Sequence, residues 1–131
     1  MLVRRLAEAP VEEWHKLRTK ILMDAGELGS RHMSVTWVEV PAGVEQELHS
    51  HEESEQIYVV SKGRGAMIVA GDRQEIAEGD LVLVPPATDH SISNDGDSDL
   101  CCVSVQSPAV TVSEVFSPTP AGAAEFDEED Y

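Results

Sequence analysis

The chain has 131 residues and a mass of 14.2 kDa, the size of one ordinary domain. Hydrophobic residues make up 41% and charged residues 26%, inside the globular range, and no apolar run approaches the roughly 20 residues that cross a bilayer, which excludes a helical membrane span. Nine Lys and Arg against 25 Asp and Glu leave a net charge of −16; bases so few and so mixed with acids form no phosphate-binding cluster, which excludes nucleic acid as a partner.

From the N-terminus, MLVRRLAEAP lacks an apolar segment after its basic residues, so no secretory signal is visible and a cytoplasmic chain is expected. Pro10 stands at a helix-start position with Glu12 and Glu13 behind it, and Val11, Trp14, Leu17 and Ile21 are spaced for one helical face. The expectation is a short helical turn near residues 10–15, then a strand over Arg18 to Met23. Short β-prone segments follow: Met33 to Val40, Gln56 to Ser61, Ala66 to Ala70, Leu81 to Val84 and Leu100 to Val105. Turn signals separate them at Pro41 to Gly43, Lys62 to Gly65, Gly71-Asp72, Glu78 to Asp80, Pro85-Pro86 and Asn94 to Asp97. No helical segment of ten residues lies between strands after Gly26, so the pattern predicts an all-β sandwich or barrel. Cys101 and Cys102 are adjacent and cannot close a restraining loop; they belong on opposite faces of one strand in a reducing compartment. Residues 117–131 combine prolines, small residues and an acidic run, and are expected to form a disordered acidic tail after a single domain over 1–116, removable after Phe116 without loss of stability.

The chemistry concentrates in histidines. His49 and His51 are two apart, so in an extended segment both imidazoles project from one face. Glu55 and Gln56 follow on the next strand, and His90 comes just beyond Pro85-Pro86. Three imidazoles and one oxygen donor brought to a point make a ligand set that divalent transition metals accept.

These residues carry a family resemblance. Residues 43–63, from Gly43 through His49-Ser-His51 and Gln56 to Gly63, resemble the first cupin motif, and residues 79–94, from Gly79 through Pro85 and His90 to Asn94, are similar to the second, with Ala87 where the family usually has Gly. The resemblance implies a small cupin: an antiparallel β-barrel or jelly roll, commonly dimeric, with a metal near its mouth. Counting back six residues from Gly63 places Gln56, not Glu55, at the position of the family's usual glutamate. Strand parity agrees, since Gln56, Tyr58 and Val60 share a face; the metal ligands are therefore assigned as His49, His51, Gln56 and His90, with Glu55 as the fallback for Gln56. Such an ion would be zinc, nickel, iron, manganese or copper, one per chain, and three imidazoles with a neutral amide leave its charge uncompensated, suited to polarising a carbonyl or holding an enolate. The ligand spacing also resembles that of cupins acting on unsaturated uronate sugars.

The expected partner is a small, anionic ligand or substrate, with lyase, isomerase or oxygenase chemistry; the alternative is a non-catalytic cupin that binds a small ligand or metal as a sensor or carrier. Glu47, on the His49 face, is the candidate general base, and Tyr58 the candidate hydrogen-bond donor to a substrate oxygen. Asn94 is expected to act structurally, Asp89 to face away from the metal, and Trp37 and Met67 to pack the barrel. His15 and His32 are read as surface or interface residues. A homodimer is expected, with residues 1–25 contributing to its contact.

Overall fold

The computed structural model describes residues 1–110; the expected tail at 117–131 and the domain end at 116 lie outside them. Nine strands form it: β1 (Val11–Trp14), β2 (Leu17–Met23), β3 (Ser34–Val40), β4 (Glu55–Lys62), β5 (Arg64–Val69), β6 (Asp72–Ala77), β7 (Leu81–Val84), β8 (His90–Ser93) and β9 (Leu100–Ser107). One sheet has the order β1-β2-β3-β9-β4-β7 and the other β6-β5-β8, with every pairing antiparallel. Residues 45–49 extend the smaller sheet through the bridges Glu45–Ser93 and His49–His90.

Period-two patterning explains the packing. Ser34, Thr36, Val38 and Val40 on β3 alternate with half-buried Val35, Trp37 and Glu39, and Gln56, Tyr58 and Val60 alternate in the same way on β4. The inward rows of the larger sheet meet Met67, Ile76 and Ile92 of the smaller one in one apolar core with Leu100 and Cys102. Each such side chain contributes about 1.5–3 kcal/mol of burial, and the two facing sheets make the jelly-roll barrel that the sequence predicts. Cys102 lies in this core, where burial pushes its thiol up to about 12.

Two sequence expectations need correction. Residues 11–14 are a strand, not a helical turn; the nearby helical turn is a 3-10 turn at Leu6–Glu8. Leu17, Thr19 and Ile21 alternate inward on β2, and the spacing of four between Leu17 and Ile21 that resembled a helix is two strand periods. Trp37 does not pack the barrel interior. Its neighbour Val38 takes the inward position, and the indole Nε1 donates to Glu39 Oε2 at 3.1 Å on the outer face. The polar strand β6, absent from the sequence reading, buries only Ile76 and so shows no alternation.

Met67 is buried in the core as expected. So is Asn94, whose Nδ2 donates to the carbonyls of Val40 and Ser98 at 2.9 and 2.7 Å while its Oδ1 accepts from the Gly96 N–H. Ala87 has φ of 55°, the left-handed conformation that explains why a glycine suits this turn.

Candidate metal centre

Backbone pairing assembles the three histidines. His49 and His90 exchange both backbone N–H···O bonds, at 3.1 and 2.9 Å, and residues paired in this way put their side chains on the same face. Their ring centroids are 4.2 Å apart. His51, two residues farther along, follows onto that face with its ring 5.1 Å from His49 and 5.2 Å from His90, and its carbonyl accepts the N–H of Ala87 at 2.7 Å. The turn after Pro85-Pro86 is thereby tied to the histidine segment. One nitrogen from each ring falls in a group whose members are all within 4.8 Å of one another.

Tautomers follow from the neighbouring carbonyls. His49 Nδ1 donates to the Glu47 carbonyl at 3.1 Å, and His90 Nδ1 to the Thr88 carbonyl at 2.9 Å. In each case the partner is two residues upstream in extended chain. The Nε2 atoms of both rings are left as acceptors, buried and with no hydrogen-bond partner, which is the state a ligating imidazole needs.

Gln56 is buried on β4, whereas Glu55 is exposed and faces away. Gln56 Nε2 donates to Ser104 Oγ at 2.7 Å; this bond orients the amide and leaves its Oε1 buried, with the Gln56 side chain interacting with His51. Three ring nitrogens and an amide oxygen, neutral and desolvated, fit a divalent transition ion.

Proton affinities reflect the same burial. Desolvation holds His49 well below the ordinary imidazole value, reinforced by the His90 and His51 rings and partly offset by the Glu47 carbonyl. His51 is lowered to about 3, first by burial and then by His90, with the Gln56 side chain offsetting a little. Burial lowers His90 too, against the Thr88 carbonyl and the charge of Asp89. All three rings are thus neutral near pH 7 and ready to donate lone pairs.

The remaining candidates are placed differently. Tyr58 is buried, lines the cavity beside the cluster, and has its ring 6.3 Å from His90. The Glu47 carboxylate is exposed, and its charge partly offsets the burial that lowers the proton affinity of His15. Asp89 and His32 are exposed.

His15 departs from the surface reading. It is half-buried, stacked on Trp14 at 4.0 Å, with its ring 5.5 Å from His49. Trp14 and Gln46 also line the cavity. No local spacing ties residues 14 and 15 to residue 49; only the β1–β2 hairpin brings them there.

Residues 36–106 match the family model for the cupin domain, the span that contains the histidine cluster and Gln56. The chain belongs to the cupin family. Over 66 residues this cupin is 41% identical to an uncharacterized protein of Methanocaldococcus jannaschii, a match covering 48% of this chain and 53% of the relative, so it spans about half the length of that curated relative. Solved structures with the same fold include a predicted oxalate decarboxylase from Thermotoga maritima, with a TM-score of 0.74 at 24% identity, covering 82% of this chain and 99% of that one. A Cupin 2 conserved barrel domain protein from Salinispora arenicola has a TM-score of 0.69 at 22% identity, covering 100% and 98%. KdgF from a Halomonas species has a TM-score of 0.70 at 19% identity, covering 82% and 94%. At these identities the likeness shows the fold alone.

Proposed function

We propose that this cupin is a metal-dependent enzyme in which His49, His51, Gln56 and His90 hold one divalent transition ion and present it to a small carboxylate or carbonyl compound. The observation that carries this reading is the pair of buried Nε2 acceptors on His49 and His90, left without partners while their Nδ1 atoms are satisfied. Leaving buried acceptors unpaired costs about 1–3 kcal/mol each, a cost that metal ligation removes.

A divalent ion bound there supplies Lewis-acid polarisation of a carbonyl or stabilisation of an enolate, with lyase, isomerase or oxygenase outcomes. The protein's own part is positional. Ser104 keeps the Gln56 carbonyl turned inward, the Glu47 and Thr88 carbonyls fix the rings of His49 and His90, Tyr58 donates a hydrogen bond to a substrate oxygen, and Glu47 serves as base from the exposed rim beside His15. The uncompensated positive charge of the site favours an anionic ligand.

One observation favours a second reading, a non-catalytic carrier or sensor: Glu47 is exposed and does not line the cavity. Elemental analysis of tag-free protein, followed by turnover assays on keto acids, uronates and catechols, tests both. One metal per chain, lost in His51→Ala, with turnover of a panel member supports the enzyme. Retained metal without turnover supports the carrier, and absence of any bound or bindable transition metal overturns the enzyme and the metal carrier alike. We further propose that it acts as a homodimer in the cytoplasm, a reducing compartment that suits the free thiols of Cys101 and Cys102.

A further inference from the structure

The cavity beside the histidine cluster has a volume of about 30 Å³, room for about one water molecule. A carboxylate with two or more carbons needs a wall to move. Most walls are fixed: Thr36, Val38, Tyr58 and Ser104 sit on strands paired on both sides, and the Val110 backbone N–H is bonded to Ser34 Oγ.

Trp14 is the exception. It ends β1, which among the described residues is an edge strand paired only with β2 and contains no buried residue. The turn after it, His15-Lys16, has φ of 52° and 67°, a compact two-residue hairpin tip. That tip rests on the outermost imidazole, with the rings of Trp14 and His15 edge-on to His49 at 5.0 and 5.5 Å. His49 is also the least buried of the three histidines. In this closed arrangement His15 Nδ1 is buried without a hydrogen-bond partner, so opening the tip returns a polar atom to water and offsets part of the apolar contact that is lost.

We propose that the Trp14–His15 tip is the gate of the three-histidine site, and that Trp14 is the wall that selects ligands by bulk. This rests on the metal-centre reading. In the closed state the tip admits only thin ligands; a substrate with a carbon skeleton enters when the hairpin swings from His49, an edge movement that breaks no pairing of the other sheet strands.

The test uses the full chain loaded with Co²⁺, whose absorbance reports ligands reaching the metal. Two probes are compared by stopped flow: azide, which is thin, and 4-phenylimidazole, which is bulky. Trp14→Ala is expected to speed 4-phenylimidazole association at least tenfold and azide less than twofold, and Trp14→Leu, which keeps β1 apolar should the alanine variant not fold, is expected to give an intermediate gain. Equal rates for both probes in either folded variant and the wild type overturn the gate while leaving the metal centre standing. Failure of the wild-type chain to bind Co²⁺ overturns the metal centre, and the gate falls with it.

Discussion

In the proposed metal site an amide at position 56 would leave a divalent ion facing four neutral donors. Replacing it with a carboxylate should strengthen metal binding and weaken the ion's pull on a substrate oxygen. Gln56→Glu is therefore expected to raise metal affinity at least tenfold, about 1.4 kcal/mol, in competition with a chelator, and to lower kcat for any substrate found; unchanged affinity would show that position 56 does not reach the metal. The histidines also set a pH limit. His49, His51 and His90 have folded-state values below the unfolded imidazole value of 6.5, with His51 at about 3, so below pH 6.5 the unfolded chain binds more protons than the native one. Stability of the metal-free protein is thus fully present above that pH and is lost as pH falls toward the folded values, with His51 alone costing about 2 kcal/mol at pH 5. Urea midpoints at pH 7 and pH 5 measure this loss, and equal midpoints would contradict a buried neutral cluster. At this scale the sequence was informative because His-x-His and strand parity are local relations, whereas the approach of His15 to His49 spans 34 residues and left no local mark.

Among the elements, β5 shows how a turn signal can conceal a packing constraint. Lys62 to Gly65 reads as a turn, and Gly63 does take the positive φ of 81° that a turn requires, but Gly65 belongs to β5. A Cβ there would strike the Ser93 carbonyl on β8 and come within 2.7 Å of the Leu100 side chain. Gly65→Ala is accordingly expected to destabilise the fold by about 2–3 kcal/mol, read as a lower urea midpoint; a neutral effect would mean that the two sheets have more freedom at this corner than their contact implies. Strands with one apolar face were legible, and Leu81–Val84 matches its sequence boundaries. The hairpin β1–β2 was not, because a spacing of four residues satisfies both a helix and a strand, and the choice was made by pairing with β3.

Across the whole molecule, the outer face of the larger sheet carries two apolar rows, Val35, Val105, Ile57 and Leu83, and Trp37, Val103, Val59 and Leu81. Leu81 and Leu83 are 59% and 51% exposed. A patch of this kind marks an interaction surface, and the proposed homodimer provides its partner. Leu2 and Val3, 68% and 62% exposed, are further apolar side chains of the N-terminal segment that a second copy could cover. Leu83→Glu is expected to convert a dimer to a monomer in sedimentation at micromolar concentration, with the metal content unchanged. A wild-type monomer would remove the dimer from the account.

Sequence alone established an all-β jelly roll, the inward faces of its main strands and the histidines that meet, because alternation and two-residue spacing are written along a single extended segment. Tertiary structure decided the rest: that Trp37 lies outside, that Trp14 and His15 cover the cluster, and how little room the cavity leaves. Those properties depend on which strands become neighbours, a consequence of pairing between residues far apart in the chain, which no window of local pattern contains.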